Sequence, residues 1–164
     1  MIEIFKSKIH KGTVTGSNVD YMGSVTIDPD LIEAANMVIG EKVHVLSMNN
    51  GARLETYVIS GERGSGEIII NGPAALRIMK GDQVIIISYV FTKMEDSKKT
   101  NPTIIFPEDK TNKIKIKKDS LFGNLTTAVN LVPSIGKLRL YRTWGGINPI
   151  TDGDSVLGNI KGHE

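Results

Sequence analysis

The chain has 164 residues, 40% of them hydrophobic and 23% charged, with a formal net charge of +2; that is long enough for one domain or one domain with an appendage, and too nearly neutral to point to nucleic acid or an acidic membrane surface. It has no cysteine, which removes disulfides and thiolate chemistry, and its start, MIEIFKSKIHKG, holds no uninterrupted apolar stretch, so no leader is read there and the cytoplasm is the default expectation. No apolar run approaches the ~20 residues of a membrane span, and His10, His44 and His163 form no spaced ligand cluster, so neither a membrane nor a metal is expected.

In chain order, residues 2–15 read as a strand with Lys8 and His10 on one face. Gly16-Ser17-Asn18 is a turn signal, and Val19 to Ile27 a second strand that contains Gly23-Ser24. Asp28-Pro29 opens a helix as N-cap and first helical residue; Leu31, Ile32, Ala34, Ala35 and Met37 form its apolar side, and Gly40 ends it. Glu41 to Met48 alternates as a strand. Asn49-Asn50-Gly51 is a hairpin turn, because Asn-Gly suits positive φ at both centres. The return strand, Arg53 to Ile59, carries Arg53, Glu55 and Tyr57 on one face. Gly61 to Gly66 lacks the lysine of a phosphate-binding loop and reads as an ordinary turn. Glu67 to Ile70 is a short strand, Asn71-Gly72-Pro73 a second helix entry, and Val84 to Phe91 a β-branched run that predicts a buried central strand. Thr92 to Thr100 reads as loop, and Ile104–Phe106 and Ile114–Ile116 as short strands, the second among lysines that suit a solvated sheet edge. The pattern predicts a compact, mainly β barrel with short helices over residues 1–118, and an irregular C-terminal extension of unknown role over 119–164.

One dipeptide carries distinctive chemistry. The Ser24 hydroxyl belongs to the residue whose nitrogen carries the Gly23 carbonyl, and it can attack that carbonyl through a five-membered ring in an N→O acyl shift. Glycine offers little steric barrier and lets the backbone reach strained φ/ψ. Elimination then leaves dehydroalanine, and hydrolysis a pyruvoyl group on a new N-terminus at position 24. Alone, a Gly-Ser pair is ordinarily a turn or bulge. Tyr57 alone is ordinarily a strand aromatic, Arg53 a surface residue, and Lys8 and His10 a wet strand face.

Taken in order, Lys8, His10, Tyr21-Met22-Gly23-Ser24, Arg53, Thr56-Tyr57, Glu62-Arg63-Gly64 and Asn71-Gly72-Pro73-Ala74-Ala75 resemble the pyruvoyl-dependent aspartate 1-decarboxylase family. The resemblance covers about residues 1–92 and fades by 117. It implies a double-psi β-barrel, a homotetramer with active sites between subunits, and self-cleavage into a β chain, 1–23, and an α chain, 24–164. It implies decarboxylation of L-aspartate to β-alanine and CO2 for pantothenate and coenzyme A synthesis, through a Schiff base on a pyruvoyl group derived from Ser24, with no pyridoxal phosphate. By the same resemblance Thr56 bonds the Gly23 carbonyl during processing and Tyr57 donates a proton to the carbanion. Arg53, Lys8 and Thr56 bind substrate, Asn71, Gly72, Pro73, Ala74 and Ala75 line the pocket, and His10 and Tyr21 stand behind them. Leu46 replaces the tryptophan common in the family. Whether cleavage is spontaneous or uses a maturation factor stays open.

An arginine suits the retained β-carboxylate, since a tight ion pair to the departing one would stabilise the ground state. Arg53 and Tyr57 lie four residues apart on one strand, about 13 Å, so bending, a bulge or a neighbouring subunit must bring them to one ligand. Two other readings compete: a non-catalytic small-barrel binding module, and an unprocessed, inactive proenzyme.

Overall fold

The computed structural model describes residues 1–118, 139–140 and 149–150. The chain divides between Leu121 and Phe122. The first unit holds β1 (Ile2–Thr13), β2 (Gly16–Asn18), β3 (Ser24–Ile27), α1 (Pro29–Ala34), β4 (Lys42–Ser47), β5 (Arg53–Ser60), β6 (Ile68–Asn71), a 3₁₀ turn (Gly72–Leu76), β7 (Gln83–Thr92), α2 (Met94–Ser97), β8 (Thr103–Pro107) and β9 (Ile114–Lys118). In the second unit β10 (Arg139–Leu140) pairs antiparallel with β11 (Pro149–Ile150). The rest of the extension expected over 119–164 lies outside the described residues.

The nine strands of the first unit are ordered β2-β6-β3-β5-β4-β7-β1-β8-β9. Only Val14 and Thr15 separate β1 from β2, yet these strands lie far apart in that order. The two linking residues bond in opposite directions. Val14 N donates to Asp82 O and accepts at its own O from Gly81 N, at the start of β7, while Thr15 N donates to Ile68 O of β6. One long path, β1–β2, therefore bridges β7 to β6 and closes a ring with β3, β5 and β4. The sheet is mixed: β1 is parallel to β8, β2 to β6 and β3 to β5. The architecture is mainly β with few short helices, compatible with the double-psi barrel, and closure removes the open edges that such short strands would expose.

The interior is built from alternate residues of each strand. Ile9, Val25, Ile27, Val43, Val45, Val58, Ile68 and Ile86 are fully or almost fully buried, and β-branched side chains suit that pleated surface. β7 is central, pairing with both β1 and β4. It is not buried on both faces as its sequence predicts: Val84, Ile86 and Ser88 point inward, whereas Ile85, Ile87 and Tyr89 are half-buried on the outer wall. A barrel strand has only one interior face, so a continuous apolar run leaves an apolar stripe outside.

Several local expectations shift. Gly16–Asn18 is strand, not turn. Residues 19–27 are not one strand, since β3 begins at Ser24 and Gly23 lies in the preceding loop. Asp28 caps α1 as expected, its carboxylate accepting from Asp30 N at 2.9 Å. The helix ends at Ala34, well before Gly40, with Asn36 taking a positive φ of 56°. At the β4–β5 turn only Gly51 has positive φ. Residues 94–97 form α2 inside the segment read as loop. The loop 61–66 is tied down internally: the Asp28 carboxylate accepts from Gly64 N at 3.1 Å and Gly66 N at 2.6 Å, the donors a phosphate would otherwise want.

Candidate active site

The Gly23–Ser24 bond is intact and sits where a loop enters the barrel wall. Gly23 is exposed, while Ser24, the first residue of β3, is 1% exposed. β3 pairs antiparallel with β6, which sets Ser24 opposite Asn71. Cross-strand partners share a face, and the contact follows: Asn71 Nδ2 donates to Ser24 Oγ at 2.8 Å and to Thr26 Oγ1 at 2.9 Å. Asn71 is itself buried. Because the amide fills an acceptor site on Ser24, the serine proton is left to point elsewhere, and the nearest oxygen is Met22 O at 3.5 Å. The hydroxyl thus lies back across the bond it is expected to attack.

Gly72 packs against the same junction. Its φ is +70°, and a Cβ there would stand 2.8 Å from Gly23 Cα, 2.9 Å from Gly23 N and 3.0 Å from Tyr21 O. Gly23 differs from expectation. Its φ lies outside the left-handed region, and a Cβ there would meet nothing within 4 Å. The conformational demand for glycine falls on Gly72, beside the bond, and not on Gly23.

β5 runs parallel to β3 on its other side, with Val25 against Val58. One residue back, the same register sets Ser24 abreast of Tyr57. Tyr57 is 43% exposed, as are Tyr21 and Met22 at 48% and 76%, so an open surface surrounds the junction. Pro73, Ala74 and Ala75 follow Gly72 in the 3₁₀ turn, with Ala75 buried.

Arg53 is held elsewhere. Its Nη2 contacts His44 Nδ1 at 2.7 Å and donates to Tyr89 Oη at 3.1 Å, while its Nε donates to His44 Nδ1 at 3.3 Å. Four residues of strand, about 13 Å, separate it from Tyr57. Lys8 lies on β1, paired with Ile87 and Ile104, its Nζ 5.5 Å from the Phe5 ring centroid. His10 meets the Phe106 ring edge-on at 5.3 Å; burial first, then Lys8 and Lys11, holds its imidazole below the ordinary value. Leu46 pairs with Arg53 and Ile85 on the outer wall. Within one protomer a hydrogen bond joins Ser24 to Asn71, Arg53 is bonded to His44 and Tyr89, and Lys8 and His10 lie on β1. Among the described residues no group of three or more His, Asp or Glu could hold a metal ion, and no helix is long and apolar enough to cross a membrane.

The order of these residues is that of a known family, and a profile of that family, "Aspartate decarboxylase", matches residues 1–115. The chain belongs to the aspartate decarboxylase family. Among the family's curated members, the aspartate 1-decarboxylase of Phocaeicola vulgatus is 55% identical over 114 residues, covering 70% of this chain and 98% of the relative. That of Bacteroides thetaiotaomicron is 54% identical over 114 residues, covering 70% and 97%. That of Christiangramia forsetii is 51% identical over 114 residues, covering 70% and 98%. The aspartate decarboxylase match ends close to the foot of β9.

Sequence reasoning missed Thr26, which shares the Asn71 amide with Ser24; its place two residues on, on the same strand face, was the available signal. It also missed the Arg53 cluster of His44, Glu55 and Tyr89. Their separation across β4, β5 and β7 leaves no local pattern to read.

Proposed function

We propose that this chain is a self-processing aspartate 1-decarboxylase, a lyase that removes the α-carboxylate of L-aspartate as CO2 and releases β-alanine for pantothenate and coenzyme A synthesis in the cytoplasm. The observation that carries the reading is the buried Ser24 hydroxyl, held by the Asn71 amide at the entrance of β3, next to an exposed glycine carbonyl. These residues fit a pyruvoyl precursor.

Processing uses the chain's own atoms. Ser24 Oγ adds to the Gly23 carbonyl carbon, and the C–N bond breaks to leave an ester and a free amine on Ser24. Loss of the Ser24 α-proton expels the Gly23 carboxylate and leaves dehydroalanine. Water then releases ammonia, and residue 24 becomes pyruvoyl. Asn71 aligns the attacking oxygen, and in this reading Thr56 of β5 holds the carbonyl oxygen as charge builds on it.

The pyruvoyl group supplies the electrophilic carbonyl that takes up the electron pair left by CO2, a sink that ordinary side chains lack. Tyr57, abreast of residue 24 on the neighbouring strand, delivers the proton to Cα. Arg53 holds the retained β-carboxylate, with Lys8 as a second cation. Both lie away from Ser24 in one protomer, so the complete site forms between subunits of a homotetramer. The open surface at Tyr21, Met22 and Tyr57 supports that assembly. Residues 1–118 are the catalytic unit; a chain ending at Lys118 should cleave and melt as the whole chain does, and a collapse of either property would reject that boundary.

The deciding experiment is the denatured intact mass of the purified protein, paired with a β-alanine assay. Two pieces, 1–23 and 24–164, the larger beginning in pyruvoyl, with β-alanine formed from aspartate, are expected. A 17.9 kDa chain that stays whole and inactive after prolonged incubation overturns the proposal.

A further inference from the structure

The proposed role of Arg53 leaves one thing unexplained: the groups that grip it. A guanidinium only donates hydrogen bonds. His44 Nδ1, in contact with Nη2 at 2.7 Å and Nε at 3.3 Å, must therefore be an acceptor and carries no proton. The ring proton then sits on Nε2, which faces Glu55 Oε1 at 3.0 Å. His44 is thus a neutral imidazole with a fixed tautomer. The Glu55 contact is a hydrogen bond from a neutral ring, although the pair also has ion-pair geometry. The bond to Lys42 holds the Glu55 carboxyl below its ordinary range.

The consequence for Arg53 is geometric. The Nε–Nη2 edge, one of the two edges a carboxylate could grip side-on, is taken by His44. The second Nη2 hydrogen goes to Tyr89 Oη at 3.1 Å. Tyr89 in turn stacks on His44, with centroids 5.1 Å apart, so the three groups brace one another. Only Nη1 is left to receive a carboxylate. Tyr89 Oη, having accepted from Arg53, keeps its own proton to donate beside it. His44 and Tyr89 also line a cleft with Glu3, Glu41, Lys42 and Phe91.

We propose that His44 is the positioning residue that aims Arg53 at the substrate carboxylate, and that Tyr89 supplies a second hydrogen-bond donor to that carboxylate. This rests on the reading of Arg53 as the carboxylate receptor. Neutral His44, held by Glu55, fixes the Nε–Nη2 edge of the guanidinium and leaves Nη1 to meet the carboxylate beside Tyr89 Oη.

The test uses processed enzyme, with cleavage checked by intact mass, and two readouts: steady-state kinetics with aspartate, and titration calorimetry with succinate, a dicarboxylate without the amine. His44→Phe keeps the ring shape but removes the acceptor, and should raise KM and the succinate Kd about tenfold with kcat little changed. His44→Asn restores an acceptor where Nδ1 stands and should recover most of that loss. Tyr89→Phe should weaken succinate binding about three- to tenfold without altering cleavage, and stands in if His44→Phe does not fold. If Arg53→Met weakens succinate but His44→Phe and Tyr89→Phe do not, the positioning role is overturned while the Arg53 reading stands. If Arg53→Met also leaves succinate unaffected, both fall.

Discussion

Gly72→Ala is the sharpest probe of the processing site, because the structure says where the added methyl goes. At φ +70° an alanine sits in the left-handed region, at a cost of roughly 1–2 kcal/mol. Its Cβ would also stand 2.8 Å from Gly23 Cα and 2.9 Å from Gly23 N, and these are backbone atoms that cannot rotate away. Relieving such an overlap by shifting backbone costs about 1–3 kcal/mol. Together the loss is about 2–5 kcal/mol, a large fraction of the roughly 5–15 kcal/mol that holds a domain folded. On a unit of this size that lowers the melting temperature by about 10–20 °C. The shift falls on the scissile junction, so cleavage should suffer more than stability alone explains. The assay is differential scanning calorimetry beside a time course of intact mass. Gly72→Asn separates the two costs, since asparagine tolerates positive φ but carries the same Cβ. It should recover about 1 kcal/mol of stability and leave cleavage impaired. A Gly72→Ala protein that melts within about 3 °C of the parent and cleaves at the parent rate would refute the close approach.

Asn71→Ala strips the donor from both Ser24 and Thr26 and should slow self-cleavage about 10- to 100-fold; unchanged half-lives in the mass time course would remove Asn71 from processing. Asn112 is buried, accepts from Thr13 N and donates to Thr13 O and Gly66 O, so Asn112→Ala should cost about 2–4 kcal/mol in urea unfolding, and a loss below about 1 kcal/mol would count against that clamp. His10 is held below its ordinary value of 6.5 by burial, then by Lys8 and Lys11. The unfolded chain therefore binds the proton more readily. The contribution of neutral His10 is complete above that value and fades as pH falls through the lower folded one. His10→Gln should flatten the fall of the melting temperature below about pH 6.5, and an unaltered slope there would reject the assignment.

The barrel and the processing residues were legible because they are encoded locally or by order. Asp28-Pro29 announced α1, and the alternation of 43–47 and 53–59 announced a hairpin. The series Gly23-Ser24, Thr56-Tyr57 and Asn71-Gly72 carried the site. What stayed hidden depends on strand neighbours. The register that puts Ser24 against Asn71, and the ring order that brings Arg53 of β5 to His44 of β4 and Tyr89 of β7, arise only when the sheet closes. Gly72 is needed because another segment presses on it, which no local pattern reports. The apolar run in β7 misled because periodicity cannot separate a strand buried on two faces from one whose outer stripe awaits a covering surface.

Closure through Val14 and Thr15 has a consequence for the mature protein. Under the proposed self-cleavage at Gly23-Ser24, β1 and β2 would belong to a separate 23-residue peptide that is also the clasp of the ring. Ten of the twelve residues of β1 pair with β7 along one edge, and β2 pairs with β6 along the other. The peptide cannot slip out without opening the barrel. Denaturing the mature form therefore turns a one-chain search into a meeting of two molecules, and recovery should fall with dilution. The uncut precursor, whose clasp is tethered, should refold at any concentration. Cleavage makes the protein a one-way assembly, easier to build whole and then sever than to rebuild from its parts.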